Sequence, residues 1–179
     1  MPELSKKLLL HICCAPCACG CLDKLQEREV TLYFSNSNLS SAEEFEKRLE
    51  NVRIFAERFD FPLIVDPYDH AAWLNAVSAV PDFAQAPERG VRCAACFKYN
   101  LERTAAKAEE AGMNFATTLT VSPHKSSKLI FSIGSRFSHF EAIDFKKNDG
   151  FLKSMRLSKE LNLYRQNFCG CEFSLRNRS

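Results

Sequence analysis

Short apolar runs alternate along the chain with longer stretches in which apolar residues recur every three or four positions. Three early runs are short and apolar, with β-branched and aromatic residues, which predicts buried strands at residues 7–12, 30–34 and 62–65. Between the second and third runs, Ser41 and Glu44 form a capping box. The apolar positions from Phe45 to Phe59 then predict one amphipathic helix.

The second half of the chain continues this alternation. Residues 93–112 predict an alanine-rich helix that Gly112 ends, and residues 115–121 and 140–144 predict a fourth and a fifth strand. Further helices are predicted at residues 22–29, 71–79, 127–137 and 158–165, and loops at 13–21, 80–92 and 146–155. This order predicts an α/β fold: a single domain over residues 1–179 with a Rossmann-like, mostly parallel sheet and helices on both faces.

The loop after the first strand carries the first chemical signal. In parallel α/β sheets, ligands bind beyond the carboxyl ends of the strands, and this loop, which runs from Cys13 to Cys21, lies at that edge. A phosphate cradle needs backbone N–H groups that approach the ligand closely. Pro16 removes one such group, and the loop holds a single glycine, Gly20. The sequence therefore disfavours a nucleotide here and favours a site built on cysteine.

Composition and charge narrow the class of protein. Hydrophobic residues make up 46% and charged residues 26%, which is ordinary for a globular domain. No apolar run reaches the roughly 18 residues of a membrane span, and the apolar start is a poor signal peptide, so we expect a cytoplasmic protein.

The two halves of the chain differ in charge. Residues 1–90 carry a net charge of −5 and residues 91–179 a net charge of +7. The basic half favours an anionic partner such as nucleic acid, although solvated glutamate-rich helices in the first half are the alternative.

The chain has nine cysteines, an odd number that fits a closed disulfide framework poorly. Since cytosolic thiols are kept reduced, metal binding or redox chemistry is the better interpretation. A strand-end loop and a helix start can bring four thiolates together, and we predict a [4Fe–4S] cluster on Cys13, Cys14, Cys93 and Cys96.

Structural zinc is the alternative metal. Neighbouring side chains of an extended segment point to opposite sides, so adjacent cysteines suit zinc poorly. A set made of Cys14-x-x-Cys17 and Cys93-x-x-Cys96 would nevertheless hold it, and spacing alone leaves the two metals open. For Cys19 and Cys21, and more weakly for Cys17, we favour packing in the interior.

A third cysteine cluster, Cys169-Gly170-Cys171, lies near the end of the chain. A disulfide across one residue closes a tight ring that is easily reduced, and Gly170 relieves part of the backbone strain. We therefore predict redox cycling for this pair, with further metal ligation as the alternative.

Four separated motifs together resemble one known family over nearly the whole chain. They are Leu-Leu-Leu-His-Ile-Cys-Cys-Ala-Pro-Cys at residues 8–17, the Cys-x-x-Cys helix at 93–96, Asp-Phe-Lys-Lys-Asn-Asp-Gly-Phe at 144–151, and Tyr-Arg-Gln-Asn-Phe-Cys-Gly-Cys at 164–171. In this order they are similar to the cobalamin-independent epoxyqueuosine reductase family. Cys19 and Cys21 depart from the family pattern.

The resemblance implies the last step of queuosine formation, in which an epoxide on a modified tRNA base loses its oxygen as water and becomes a cyclopentene. It implies a [4Fe–4S] cluster on Cys13, Cys14, Cys93 and Cys96, and one further mononuclear iron whose ligands stay unassigned. It also implies that Cys169 and Cys171 form a redox-active disulfide. The partners would be the anticodon loop of tRNA and an unidentified electron donor.

The remaining candidates would bind RNA or transfer a proton. Around an anticodon-loop substrate the sequence offers seven basic residues: Lys125, Lys128, Lys146, Lys147, Lys153, Arg156 and Arg165. Phe145 and Phe151 would stack on bases or belong to the core. The acid that protonates the leaving oxygen, or a ligand of the second iron, would come from His11, Asp149 or Tyr164. A buried strand-end role competes for His11 and a turn role for Asp149.

Two other functions stay open on the residues alone. One is a zinc-stabilised RNA-binding module, which would be colourless. The other is a metal-free thiol-disulfide oxidoreductase acting on proteins through either Cys93-x-x-Cys96 or Cys169-Gly170-Cys171.

Overall fold

The computed structural model describes residues 5–176, in which four parallel strands form one sheet in the order β3-β2-β1-β4. The strands are β1 (Lys7–His11), β2 (Glu29–Phe34), β3 (Leu63–Val65) and β4 (Asn114–Thr117). The helices are α1 (Ala15–Cys19), α2 (Ala42–Arg58), α3 (His70–Ser78), α4 (Val91–Ala111), α5 (Ser127–Gly134), α6 (Gly150–Glu160) and α7 (Glu172–Arg176). No helix within residues 5–176 is long and apolar enough to cross a bilayer.

Side-chain alternation in β1 divides the core into two layers. Leu8 and Leu10 are buried in one apolar cluster with residues of α2, whereas Leu9 is buried in a second cluster with Phe97 and Leu101 of α4. Because successive side chains of a strand point to opposite faces, α2 and α4 cover opposite faces of the sheet. The predicted α/β class, with a parallel sheet between helices, is confirmed, and the extent of the single domain over residues 1–179 stays a prediction.

A close approach of α1 and α6 brings the carboxyl edge of the sheet together with the later part of the chain. A Cβ added to Gly20 would lie 2.5 Å from the carbonyl oxygen of Gly150, and one added to Gly150 would lie 1.7 Å from the carbonyl oxygen of Phe145. A side chain would clash at both positions, so only glycine allows the backbones to approach this closely. The start of α6 is thereby fixed against the end of α1.

Several predicted elements in these regions are wrong. The predicted loop 13–21 contains α1, and the predicted helix 22–29 is only a 3₁₀ turn, Leu22–Lys24. The predicted loop 146–155 contains the start of α6, and the predicted helix 158–165 is the end of that helix followed by irregular chain. The pattern failed because α6 buries the small residues Gly150, Ser154 and Ser158 and leaves Leu152 and Met155 exposed. The fully buried positions of α6 therefore carry no apolar periodicity, and Leu157 is its one leucine that packs, partly buried, against the core.

The predicted fifth strand, residues 140–144, is also wrong, because within the described residues this segment makes only one isolated bridge, between Phe115 and Phe140. The predicted fourth strand ends early, at Thr117, where the chain enters a 3₁₀ turn, Thr118–Val121. The Thr120 hydroxyl donates to the carbonyl of Ile143 (3.1 Å) and accepts from the N–H of Phe145 (3.1 Å). A side chain thus replaces the backbone ladder here.

Candidate metal centre and substrate cavity

The centre of the sheet has the topology that creates a binding crevice. β1 lies between β2 and β4. The helix after β1, α1, belongs to the apolar cluster of α2, whereas the helix after β4, α5, belongs to that of α4, so the two connections lie on opposite faces of the sheet. Crevices form at such a point, beyond the carboxyl ends of the strands. Cys13 follows β1 there and is fixed by Thr118, which follows β4. The Thr118 hydroxyl accepts the N–H of Cys13 at 3.1 Å and lies 3.2 Å from its sulfur.

Three thiols converge at this edge. The Sγ atoms of Cys13, Cys14 and Cys17 all lie within 4.8 Å of one another, and those of Cys13 and Cys14 are 4.0 Å apart. Cys14 is the extended residue that precedes α1, and Cys17 lies one turn into that helix. This turn brings Cys17 back beside the adjacent pair. The sulfurs of Cys13 and Cys14 also lie close together, although the two residues are neighbours in the chain. A group of this kind can hold a metal ion.

The pKa of each of the three thiols depends on its hydrogen bonds to the other two. The pKa of Cys14 lies well below the usual thiol value because Cys13 and Cys17 donate hydrogen bonds to its sulfur, with a further hydrogen bond from Gln166. The pKa of Cys13 is raised to about 12 because its thiol donates to Cys14, and that of Cys17 is raised by its hydrogen bonds to Cys13 and Cys14. Without a cation, these hydrogen bonds favour a thiolate at Cys14 and thiols at Cys13 and Cys17. A bound cation would stabilise further thiolates.

Cys93 and Cys96 lie in the first two turns of α4, as the sequence predicts. The Cys93 sulfur accepts the N–H of Arg89 at 3.3 Å. The Cys96 sulfur accepts the indole N–H of Trp73 at 3.3 Å and the side-chain amide of Asn100 at 3.8 Å. Burial raises the pKa of both thiols. N–H groups directed at sulfur are typical of cysteines that ligate metal, because they stabilise the thiolate and tune the metal.

One cavity of about 470 Å³ joins these groups. Five cysteines line it: Cys13, Cys14, Cys17, Cys96 and Cys169. Cys93 packs against the same apolar cluster as Cys13. The structure thus brings the strand-end loop, the start of α4 and the tail to one place.

The segment that carries Cys169 and Cys171 is held mainly by side chains, with one backbone hydrogen bond from the N–H of Ser40 to the carbonyl of Gly170 at 2.8 Å. The buried guanidinium of Arg48 donates to the carbonyl oxygens of Cys169 (2.9 Å) and Phe168 (3.3 Å) and pairs with Glu44 at 2.7 Å. Gly170 has a φ of +133°, which favours glycine. Cys169 is exposed and Cys171 is half-buried, and all nine cysteines of the chain are free thiols in this structure.

Comparison with known proteins identifies the family. The sequence model of epoxyqueuosine reductase QueH matches residues 8–177. A protein of Streptococcus pyogenes named epoxyqueuosine reductase QueH is 35% identical over 181 residues, which cover 93% of this chain and 69% of the relative. Proteins of the same name from Thermotoga maritima and Acinetobacter baylyi are 35% and 33% identical, and the alignments cover 96% and 99% of this chain and 91% and 84% of the relatives.

The chain belongs to the epoxyqueuosine reductase QueH family.

Membership confirms the resemblance read from the motifs. The reaction of the QueH family is the reduction of epoxyqueuosine, the last step of queuosine biosynthesis, and it implies a tRNA substrate. The cysteine cluster of Cys13, Cys14 and Cys17 fits a metal-binding member of this family.

Two of the predicted RNA-binding cations line the cavity. Lys125 is half-buried, and Arg165 is exposed with its guanidinium on the Ser158 hydroxyl at 3.0 Å. The pKa of Lys125 is raised because the cysteines around the cavity favour its charged form, Cys169 most strongly. Lys146 supports this segment by donating to the carbonyl of Lys125 at 2.7 Å. The remaining predicted cations lie outside the cavity lining: Lys128, Lys147 and Arg156 are exposed, and Lys153 pairs with Asp23.

The three candidates for a proton donor or second-iron ligand lie outside the cavity lining. His11 is fully buried, with one ring nitrogen 2.9 Å from the Thr117 hydroxyl and the other 3.0 Å from the carbonyl of Ser35. Burial lowers the pKa of His11 to about 4, so the ring is neutral. The Tyr164 hydroxyl donates to Glu44 at 3.2 Å, and Asp149 is an exposed residue before α6 with a φ of +61°.

Other residues occupy places that the sequence left undecided. Phe145 is fully buried in the core, whereas Phe151 is half-buried and lines the cavity. Cys19 and Cys21 are buried in the core, as predicted. Cys17 is half-buried against the core cluster, as the sequence weakly predicted, and its sulfur also lies beside those of Cys13 and Cys14, for which the Cys14-x-x-Cys17 spacing at a helix start was the signal. Reasoning from the sequence also missed several cavity residues, for which no motif gave a signal: Asn36, Asn38, Arg48, Asn100 and Gln166.

Proposed function

We propose that this chain removes the epoxide oxygen of epoxyqueuosine in tRNA with a [4Fe–4S] cluster held by Cys13, Cys14, Cys93 and Cys96. The observation that carries the proposal is the convergence of the Cys13, Cys14 and Cys17 sulfurs within 4.8 Å in the lining of a cavity that Cys96 also lines. Four thiolates suit such a cluster. When bound, it would supply electrons one at a time.

The donor set supports this assignment. Cys14 is already the most acidic of its group, and Cys96 receives two N–H donors while its sulfur is buried. Burying a thiolate is costly unless it is hydrogen-bonded or bound to metal. The hydrogen bonds from Trp73 and Asn100 therefore suit a sulfur that carries negative charge.

Cys169 and Cys171 complete the redox machinery in this proposal. Loss of the epoxide oxygen as water requires two electrons and two protons. Oxidation of the two thiols to one disulfide releases that number of each, and an external electron donor then restores the thiols. Cys169 is exposed and lines the cavity, so it is accessible both to substrate and to such a donor.

Lys125 and Arg165 are the cations that we assign to RNA binding at the cavity. Both line it, and the anticodon loop brings phosphates to within reach of any base inserted there. Lys128, Lys146 and Lys147 stay proposed at the periphery, where Lys146 fixes the backbone of Lys125. Since tRNA is the substrate, we place the reaction in the cytoplasm.

Cys17 offers a fifth thiol beside the four that the cluster needs. Its sulfur is within 4.8 Å of those of Cys13 and Cys14. We assign it to the further mononuclear iron. His11, Asp149 and Tyr164 lie outside the cavity lining, so we expect none of them to touch that iron or the leaving oxygen.

Anaerobic turnover tests the function. An anticodon stem-loop that carries epoxyqueuosine is incubated with reconstituted protein and a chemical reductant. The RNA is then digested to nucleosides, and their masses are measured by mass spectrometry. Loss of one oxygen atom from the modified nucleoside is expected. An unchanged nucleoside with a fully loaded, reduced protein would contradict the proposal.

Metal analysis of the same preparation separates the alternatives. Iron and labile sulfide with absorbance near 400 nm are expected. A colourless protein that holds zinc would favour the RNA-binding module, which the convergence of Cys14 with Cys17 also permits. Protein disulfide exchange without any metal would favour the oxidoreductase alternative.

A further inference from the structure

Two amide side chains in the cavity wall, Asn100 and Gln166, share one arrangement. Each lies beside a cysteine that we assign to the cluster. Asn100 donates to Cys96 at 3.8 Å and also to Asn38 at 3.4 Å, and the amide of Gln166 helps to lower the pKa of Cys14. The carbonyl oxygen at the other end of each amide is buried and, within residues 5–176, has no hydrogen-bond partner.

Unpaired buried oxygens of this kind are rare, because a buried polar atom that lacks a partner loses the hydrogen bonds it made to water. Asn100 is only 3% exposed, so bulk water does not compensate its oxygen. Both residues line the cavity rather than the closed core. A ligand that enters the cavity is therefore the natural source of the missing partners.

The chemistry of the two oxygens restricts that ligand. An amide oxygen only accepts hydrogen bonds, so the ligand must present N–H or O–H groups. The epoxide oxygen of epoxyqueuosine is itself an acceptor and does not meet this need. The ring that carries the epoxide bears hydroxyl groups and is joined to the base through an amine, and these groups are donors.

The amide nitrogen of Asn100 is held by a neighbouring asparagine. The side chain of Asn38 accepts from Asn100, and the neighbouring Asn36 donates to the carbonyl of Ile12 at 2.9 Å. The hydrogen bonds to Asn38 and Cys96 fix the orientation of the Asn100 amide, and Gln166 lies in the cavity wall near Cys14. Both free oxygens are thus positioned beside two of the proposed cluster ligands.

We propose that Asn100 Oδ1 and Gln166 Oε1 accept hydrogen bonds from the hydroxyl and amine donors around the epoxide of epoxyqueuosine. They thereby select the modified base over an unmodified one and place the epoxide beside Cys14 and Cys96. This inference rests on the proposed function, whose substrate it uses.

Binding without reductant tests the inference apart from turnover. Dissociation constants are measured for two anticodon stem-loops, one with epoxyqueuosine and one with guanosine at the same position. The ratio of the two constants reports recognition of the modification, whereas the unmodified RNA reports phosphate contacts. We expect Gln166→Leu and Asn100→Leu each to reduce the ratio about ten-fold or more, because a buried donor of the ligand loses its acceptor. Gln26→Leu, an exposed glutamine outside the cavity, serves as the matched control and keeps the ratio.

Gln166→Glu separates substrate binding from support of Cys14. A carboxylate keeps the acceptor oxygen but removes the amide that helps to lower the pKa of Cys14. We expect this variant to retain most of the preference that Gln166→Leu loses. If Gln166 only oriented Cys14, the leucine and glutamate variants would both keep the wild-type preference.

The outcomes distinguish failure of this inference from failure of the proposed function. Wild-type preference that persists in Gln166→Leu and Asn100→Leu overturns the inference and leaves the proposed function standing. A wild-type protein that binds both RNAs equally and fails to convert the modified one overturns the proposed function and the inference with it. Should Asn100→Leu not fold, the two Gln166 variants decide alone, because Gln166 lies in an irregular, half-buried segment.

Discussion

The cavity is built from two regions that are stabilised in different ways. On one side, Cys13, Cys14 and Cys17 follow a central strand whose leucines are fully buried, and backbone ladders on both sides hold that strand. On the other side, Cys169 and Cys171 belong to a segment outside the sheet that is held by side-chain contacts of Arg48 and by a single backbone hydrogen bond from Ser40. A rigid sheet edge suits a metal centre, whereas an accessible segment held by a few contacts suits a thiol pair that opens and closes.

Matched glycine substitutions should expose this difference most strongly. Gly150→Ala places a Cβ 1.7 Å from the carbonyl of Phe145, and we expect it to lower the free energy of unfolding by about 3 kcal/mol and the Tm by roughly 6–12 °C. Gly170→Ala meets a movable side chain, Leu39, at 2.3 Å. We expect it to lower the Tm less than Gly150→Ala does, because the strain at its φ of +133° is relieved when the tail is released, and Cys169 and Cys171 are then alkylated faster.

Gly112→Ala controls for backbone strain alone, because Gly112 has a φ of +64° with open space around it. We expect it to cost about 1 kcal/mol. Thermal unfolding and alkylation followed by mass spectrometry measure both responses. Equal losses of Tm in the Gly150 and Gly170 variants would contradict the distinction between the two regions.

Arg48→Met should loosen the tail without disturbing the metal side. Its guanidinium supplies two hydrogen bonds to the tail backbone, and their loss should raise the alkylation rate of reduced Cys169 about ten-fold. Bound iron should stay unchanged. Arg53→Met, an exposed arginine of α2, is the control. An unaltered rate in Arg48→Met would show that other contacts fix the segment.

Arg165→Met tests whether the tail side also contributes to RNA binding. If Arg165 neutralises one phosphate, its loss should reduce the slope of log affinity against log salt by about 0.7–0.9. Lys107→Met, on an ion-paired lysine outside the cavity, should keep the slope. Affinity for an anticodon stem-loop is measured over a range of salt concentrations. A wild-type affinity that does not depend on salt would mean that phosphate contacts contribute little.

The smallest expected effect is on stability and concerns the ion pair of the buried Asp66, which lies near the strand that precedes Cys13. Asp66 pairs with Arg103 at 2.5 Å and accepts from the hydroxyl of Ser35, whose carbonyl holds His11. Burial alone would raise the pKa of Asp66, but the hydrogen bonds from Arg103 and Ser35 outweigh it and the pKa is lowered. A carboxylate with a depressed pKa stabilises the fold above its unfolded value of about 4 and loses that contribution as the pH falls below it.

We therefore expect the difference in Tm between wild type and Asp66→Asn to be constant near neutral pH and to shrink below about pH 4. Thermal unfolding from pH 6 to pH 3 measures it. A difference that grows toward low pH would have the wrong sign and would contradict the assigned cause.

The two regions also differ in how far the sequence predicted them. The strands around Cys13 and the helix that carries Cys93 and Cys96 follow from apolar runs and end signals, and Gly112 ends α4 in the left-handed conformation as expected. The helix α6 was missed because its fully buried residues are a glycine and two serines. Residues such as Arg48 and Asn100 gave no signal, because their roles depend on partners that lie far away in the chain.

Cys17 shows how local geometry decides between interpretations that spacing leaves open. Its spacing from Cys14 suited both packing and ligation. The five-residue helix α1, which Pro16 helps to start, turns its sulfur toward Cys13 and Cys14. The length and direction of so short a helix depend on its packing against α6, which the sequence did not predict.

Iron and labile sulfide in a set of serine variants test the central assignment most directly. After anaerobic reconstitution, Cys13→Ser, Cys14→Ser, Cys93→Ser and Cys96→Ser should each lose most of the cluster, whereas Cys169→Ser and Cys171→Ser should keep wild-type iron and sulfide and lose turnover. Loss of cluster iron in the tail variants would make Cys169 and Cys171 ligands, and full retention in any of the first four would remove that residue from the set.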